Sequence, residues 1–172
     1  MFSGVAPFIA LTITTGGASV FRMRDQFSGG RIALDRAMAF AIQQAYQRLR
    51  TATYREFHEH GLEITPEQWI VLVRLWDRDG QSPSDLSDAT LRDRPTMTRI
   101  LDTMERNGLL ARAPAPDDGR GRIVRLTRAG RELRVPLTAA AKRTVKRLEH
   151  GISDADLETT RRTLNRIAGN LE

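Results

Sequence analysis

Three helix starts follow one another between Thr65 and Pro95, and they leave this stretch little freedom. Thr65-Pro66-Glu67-Gln68 sets a capping hydroxyl before a proline suited to a first helical turn. Gln68, three residues on from Thr65, can complete a capping box. Ser82-Pro83-Ser84-Asp85 repeats the arrangement, with an acid that favours the helix amino end. Asp93-Arg94-Pro95 repeats it again. Gly80 closes the first helix, the second stops near Thr90, and Asn107-Gly108 terminates the third. Each carries an apolar stripe: Trp69, Ile70, Leu72, Val73, Leu75 and Trp76 on the first, Leu86 and Ala89 on the second, and Met97, Ile100, Leu101 and Met104 on the third. Helices this short are marginal alone, so the three are expected to bury those stripes on one another.

Leu109 to Ala113 is strand-compatible, Pro114, Pro116 and Asp117-Asp118-Gly119 read as a turn, and Arg122 to Thr127 alternates as a strand does. Together they predict a β-hairpin with a basic tip. Thr127 caps a helix expected to run from Arg128 to about His150, kinked at Pro136 and lined by Leu133, Leu137, Ala140, Ala141, Val145 and Leu148. Ser153-Asp154-Ala155-Asp156 opens a last helix with Leu157, Leu164, Ile167, Ala168 and Leu171 on one side. Upstream, Ile32 to His60 is helical by its 3- and 4-residue apolar steps, and is too long to bury its stripe inside a small globule, so it is expected to pack partly on another subunit. Residues 1–31 differ from the rest: a disordered or loosely attached tail, or a gene-model extension with translation starting at Met23. The apolar stretch from Val5 to Ile13 is too short to span a membrane, and no Lys or Arg precedes Arg22 to make a secretory signal.

The order of elements predicts a mainly α fold with a small β-hairpin wing, a winged helix-turn-helix. Of the net charge of +6, residues 91–134 supply +5, from 11 Arg against 6 acids. Localised positive charge is the footprint of a polyanion partner. The absence of Cys excludes disulfide scaffolds, Cys-ligated metal and thiol redox sensing, and fits a cytoplasmic chain. With Met97, Ile100, Leu101 and Met104 facing the core, Thr96, Thr98 and Arg99 point outward at the helix amino end, beside Arg94 and Pro95. That end is where a recognition helix meets base edges in the major groove. Arg can bridge guanine O6 and N7 there, worth about 1–3 kcal/mol per good pair, and Thr can meet a thymine methyl or a phosphate. At the hairpin tip, Arg120 and Arg122 suit the narrow minor groove, with Asp118 pairing to an Arg to direct it.

These residues resemble the multiple-antibiotic-resistance regulator (MarR) family of bacterial transcription factors. The resemblance is carried by Leu62-Glu63-Ile64-Thr65-Pro66-Glu67-Gln68-Trp69, by Asp93 to Asp102, by Glu105-Arg106-Asn107-Gly108-Leu109-Leu110, and by Asp118-Gly119-Arg120 followed by Val124-Arg125-Leu126-Thr127. It covers about residues 35–172. Two features depart from it: Thr90-Leu91-Arg92-Asp93 lacks the Gly many members carry there, and residues 1–31 have no counterpart. The resemblance implies a dimerisation helix over 32–61, a DNA-binding lobe over 62–127 and C-terminal dimerisation helices over 128–172. It implies a homodimer on pseudo-palindromic double-stranded DNA, acting as a repressor, with Arg94, Pro95, Thr96, Thr98 and Arg99 in the major groove. Arg120, oriented by Asp118, would enter the minor groove, and Ser82 and Ser84 would contact phosphates. It further implies release by a small aromatic or anionic effector bound where the dimerisation helices meet the DNA-binding lobe.

For that effector the sequence offers Tyr54, His58, Trp69 and Arg74, since an Arg beside aromatics can hold a carboxylate. His58 and His60 flank Glu59, but residues two apart on a helix do not share a face, so neither metal nor cofactor is expected. No phosphate loop, nucleophile elbow or dinucleotide fingerprint is present, which points away from an enzyme. The alternative is a winged-helix module that docks an acidic protein partner. Steep salt dependence of binding to duplex DNA separates the two.

Overall fold

A computed structural model describes residues 37–115 and 121–172, so Asp118 and Arg120 at the expected wing tip lie outside the described residues. Two units are distinguished, residues 1–43 and 44–172. The element order is α1 (Met38–Glu59), α2 (Pro66–Asp77), α3 (Pro83–Thr90), α4 (Arg94–Arg106), β1 (Leu110–Pro114), β2 (Arg122–Leu126), α5 (Arg128–Glu132), α6 (Arg134–Leu148) and α7 (Asp154–Gly169). Of the expected helix from Ile32, the part from Met38 onward is described.

The helix starts are where the capping chemistry sets them. The Thr65 and Ser82 hydroxyls accept from the N–H of Gln68 and Asp85, and both side chains reach back to the cap N–H, so α2 and α3 each open with a full capping box. Asp93 accepts from the Thr96 N–H at 2.8 Å to open α4. Gly108, at φ +68°, turns the chain out of α4 into β1. Met97, Leu101 and Met104 of α4 are buried with Leu72, Leu75, Leu86, Phe57 and Val124 in one core. Each such fully buried side chain stabilises the fold by about 1.5–3 kcal/mol.

β1 and β2 pair antiparallel from Leu110↔Leu126 to Pro114↔Arg122. Pro114 therefore ends a strand and does not begin the turn. Strict alternation in β2 also fails, because Ile123 and Val124 are both buried. The Gly80-Gln81 segment lies against the hairpin: Val124 N–H donates to the Gln81 carbonyl at 2.8 Å and Gly80 N–H to the Val124 carbonyl at 3.1 Å. A Cβ on Gly80 would sit 3.8 Å from the Ile123 side chain, so this segment covers the second face.

The single kinked helix expected from Arg128 to His150 is two helices, broken at Leu133. A proline ring clashes with the carbonyl four residues back and offers it no N–H. Four residues before Pro136 is Glu132, the last residue of α5. The expected stripe on α6 is also narrower: Leu137, Ala140 and Thr144 are buried, whereas Val145 and Leu148 are exposed. α5 lies so close to the core that a Cβ on Gly130 would be 2.1 Å from the Leu109 carbonyl oxygen. Trp76 Nε1 donates to the Gly130 carbonyl at 3.0 Å.

One ion cluster joins α1 to α6. The Glu56 carboxylate is buried, accepts from Arg143 Nε at 2.6 Å, and has Arg147 at 3.8 Å. His60 Nδ1 lies 2.8 Å from the Glu56 carbonyl oxygen. By contrast, α7 buries no residue, and Leu164 and Leu171 are exposed. Leu49 and Tyr46 of α1 are exposed as well.

Candidate nucleic-acid interface and a neighbouring cavity

The first turns of α4 present Arg94, Pro95, Thr98 and Arg99 to solvent, with Thr96 half-buried. Local bonds fix this surface. Asp93 takes the Thr96 N–H and also the Thr96 hydroxyl, at 2.8 Å each. The Thr96 backbone, then its hydroxyl, hold the Asp93 carboxyl below its usual range, so the cap stays charged. Thr98, itself exposed, donates its hydroxyl to the Arg94 carbonyl at 2.9 Å. Arg94 Nη2 donates to Ser84 Oγ at 3.3 Å, so Ser84 stands beside the α4 amino end, while Ser82 Oγ caps α3 by accepting from the Asp85 N–H. Arg122 is exposed at the start of β2. The hairpin is clamped to α4 by Arg112, whose guanidinium meets Asp102 at 2.6 Å and also Glu105. Among the described residues no three His, Cys, Asp or Glu gather as a metal site would require, and no helix is long and apolar enough to cross a membrane.

The four residues expected to bind an effector do not come together. Arg74 Nη2 donates to the Ala89 carbonyl at 3.0 Å, tying α2 to α3. Tyr54 and His58 pack on each other, ring centroids 6.2 Å apart, on an exposed part of α1. Of the four, only Trp69 lines a cavity of about 260 Å³. Its ring stands edge-on to both Phe57 and Trp76, at 5.6 Å in each case.

That cavity is walled by Tyr46, Leu49 and Arg50 of α1, by Pro66, Glu67 and Ile70 of α2 beside Trp69, and by Ala141, Thr144 and Val145 of α6. Thr53 of α1 and Arg92, from the α3–α4 turn, complete it. Arg50 Nε meets Glu67 at 2.6 Å, so these two charges cancel. Burial pushes the Glu67 carboxyl up, but the Arg50 hydrogen bond, the backbone and Thr65 outweigh it and hold the group below its ordinary value. Arg92 Nη2 donates to the Tyr46 hydroxyl at 3.2 Å, and among the described residues no carboxylate pairs with it. The Thr144 hydroxyl is buried without a hydrogen-bond partner among the described residues.

Sequence reasoning missed Tyr46, Arg50, Arg92 and Thr144. A signal existed for three of them. Tyr46, Arg50 and Thr53 recur at 4- and 3-residue steps, which places them on one helix face. Thr144 interrupts an otherwise apolar stripe after Leu137 and Ala140. Arg92 carried no signal, since its direction depends on the turn's backbone.

The MarR family matches the chain over residues 64–121, from the end of the α1–α2 connection to the hairpin. A probable transcriptional regulator from Pseudomonas aeruginosa is 31% identical, with a TM-score of 0.72, across 78% of this chain and 98% of that one. The chain belongs to the MarR family. The family is one of transcription regulators and not of enzymes. Within it, the repressor IacR of Pseudomonas putida is 28% identical over 111 residues, which cover 64% of this chain and 66% of IacR, just under two thirds of that relative's length. The repressor CouR, of Rhodococcus jostii RHA1, has been solved bound to a 23-mer DNA duplex; it is 25% identical, with a TM-score of 0.71, over 78% of this chain and 94% of CouR.

Proposed function

We propose that this MarR-family chain is a homodimeric repressor that binds pseudo-palindromic double-stranded DNA and is released by a small ligand. The observation that carries the DNA reading is the exposed amino end of α4, where Arg94, Pro95, Thr98 and Arg99 face solvent while Met97, Leu101 and Met104 anchor the helix behind them. In this reading Arg94, Pro95, Thr96, Thr98 and Arg99 enter the major groove, and Ser82 and Ser84 lie against phosphates. Arg122, with Arg120 and Asp118 beyond it, serves the minor groove. The DNA complex of CouR, at 25% identity, supports duplex DNA as the partner.

Residues 62–127 form the DNA-binding lobe, and the helices of 32–61 and 128–172 form the dimer. Support for the dimer is the apolar surface left uncovered on α1, α6 and α7: Leu49, Val145, Leu148 and Leu164 are exposed. The effector site is the cavity between α1, α2, α6 and the α3–α4 turn, whose roughly 260 Å³ falls just short of the roughly 300–1,000 Å³ usual for ligand pockets.

The test is a titration with the intergenic DNA upstream of the chain's own gene, at two salt concentrations, against shuffled DNA of equal length. Tight, selective and salt-sensitive binding is expected, because each neutralised phosphate releases counterions. Arg99→Ala is expected to weaken binding and relax base preference. Arg122→Ala is expected to weaken it with half-site choice unchanged. Equal, weak binding to both probes overturns the reading.

A further inference from the structure

The arginines of the hairpin and of α5 are held in different ways. Arg112 is engaged by Asp102 and Glu105, Arg128 by Glu132, and Arg131 by Asp79. Arg125 is exposed on β2, and among the described residues no carboxylate pairs with it. Its place is nonetheless fixed by the backbone. Val124 N–H donates to the Gln81 carbonyl at 2.8 Å and Gly80 N–H to the Val124 carbonyl at 3.1 Å, so β2 lies beside the link from α2 to α3. The Arg125 side chain reaches over that link: a Cβ on Gly80 would sit 3.6 Å from the guanidinium carbon. The carboxylate next to it in sequence, Asp79, is already spent, accepting from Arg131 and from the Leu126 N–H at 2.9 Å each. Two residues beyond Gly80 is Ser82, the cap of α3, and two residues of chain span at most about 7 Å. The amino end of α3 is not cationic by itself. Asp85 Oδ2 accepts from the Ser82 N–H at 3.3 Å, which sets a carboxylate where the helix dipole would otherwise favour an anion. A phosphate at Ser82 and Ser84 therefore needs cations from outside α3. Arg94 supplies one from the α4 side, bonded to Ser84 at 3.3 Å, and Arg125 stands on the hairpin side.

We propose that Arg125 is a DNA phosphate contact, gripping with the Ser82 end of α3 the backbone that separates the groove read by α4 from the groove read by the wing. The proposal rests on the reading of the chain as a duplex-binding regulator and adds a residue to which that reading gives no role. Two cations then bracket one stretch of backbone, Arg94 from the recognition helix and Arg125 from the hairpin. Such a contact fixes register and orientation and carries no sequence information of its own. Arg122 and Arg125 are three residues apart on one strand, about 10 Å. A backbone held at the hairpin base therefore also sets where the wing end meets its groove.

The experiment uses the full chain with two labelled duplexes, the intergenic DNA upstream of its own gene and a shuffled duplex of equal length, titrated across a range of salt. Wild type, Arg125→Met and Arg125→Lys are compared. Arg125 is exposed and has no ion-pair partner among the described residues, so all three are expected to melt alike. Arg125→Met is expected to bind both duplexes about tenfold more weakly at low salt. Its plot of log affinity against log salt is expected to be shallower by about 0.9 for each protomer bound, the loss of one phosphate. Arg125→Lys keeps the charge and the wild-type slope. Base preference is unchanged in both. Upstream duplexes with one phosphate at a time replaced by a neutral methylphosphonate locate the contact. Wild type loses affinity at a position in each half-site where Arg125→Met loses nothing further. The proposal is overturned by a wild-type slope in Arg125→Met, by an equal loss of slope in Arg125→Lys, or by methylphosphonate losses that are the same in wild type and Arg125→Met. Equal wild-type affinity for the two duplexes marks failure of the regulator reading separately, since the slope counts phosphates on either duplex.

Discussion

Leu91 has φ +52° and ψ +43°, the left-handed region, and is 91% exposed. An L-residue there costs about 1–2 kcal/mol, and here the side chain recovers nothing by burial. Leu91→Gly removes that cost but adds backbone freedom to the unfolded chain. The variant is expected to gain about 0.5–1 kcal/mol in a urea melt. The opposite argument applies at Gly130. Its φ is ordinary, yet a Cβ would meet the Leu109 carbonyl oxygen at 2.1 Å, and backbone cannot swing aside as a side chain tip can. Gly130→Ala should cost about 1–3 kcal/mol in the same melt, because α5 must lift from the core. That lift would stretch the Trp76–Gly130 hydrogen bond as well, so the loss should be accompanied by a change in tryptophan emission.

The Glu56–Arg143 pair holds two elements together and depends on pH. The Arg143 hydrogen bond holds the Glu56 carboxyl below its ordinary value of 4.5, against the burial that would raise it. A lowered folded value stabilises above the unfolded one and is lost as pH falls through the folded one. Glu56→Gln should therefore cost about 1–2 kcal/mol at pH 7, and its deficit against wild type should shrink as pH drops below about 4.5. A constant deficit down to pH 3 would refute the pairing. At this scale the chain was readable where chemistry is local. Thr65, Ser82, Asp93, Thr127 and Ser153 all cap helices as their neighbours in sequence predict. Pro136 was readable as a disturbance but not as a break, because the break falls at Leu133, one turn upstream of the ring. The burial of Ile123 against the alternation of β2 was not readable, because the Gly80-Gln81 segment that covers it lies about forty residues away in sequence, beyond any periodicity. The cavity was the least legible part. Arg74 looked like an anion ligand, but it serves the Ala89 carbonyl, and the cavity is lined instead by Arg50 and by Arg92, which has no local pattern.

Over the whole molecule, the apolar surface is unevenly spent. The winged-helix lobe buries Leu72, Leu75, Leu86, Met97, Leu101, Met104 and Leu110, while α7 buries no residue. If α7 pairs with a second copy, Leu164→Glu together with Ile167→Glu should shift the protein from dimer to monomer in sedimentation. Operator affinity should then fall steeply, because one half-site is engaged at a time. A double variant that sediments as wild type would move the dimer face elsewhere. The Glu56–Arg143 bond also has a consequence in time. Its partners are 87 positions apart, so during synthesis at about 5–20 residues per second the carboxylate emerges roughly 4–17 s before the guanidinium that neutralises it. The lobe ending at Leu126 is complete before then and can close on the ribosome. The helix that completes both the cavity and the buried ion pair, α6, follows that lobe off the ribosome, so a nascent chain forms the exposed amino end of α4 before it forms the cavity.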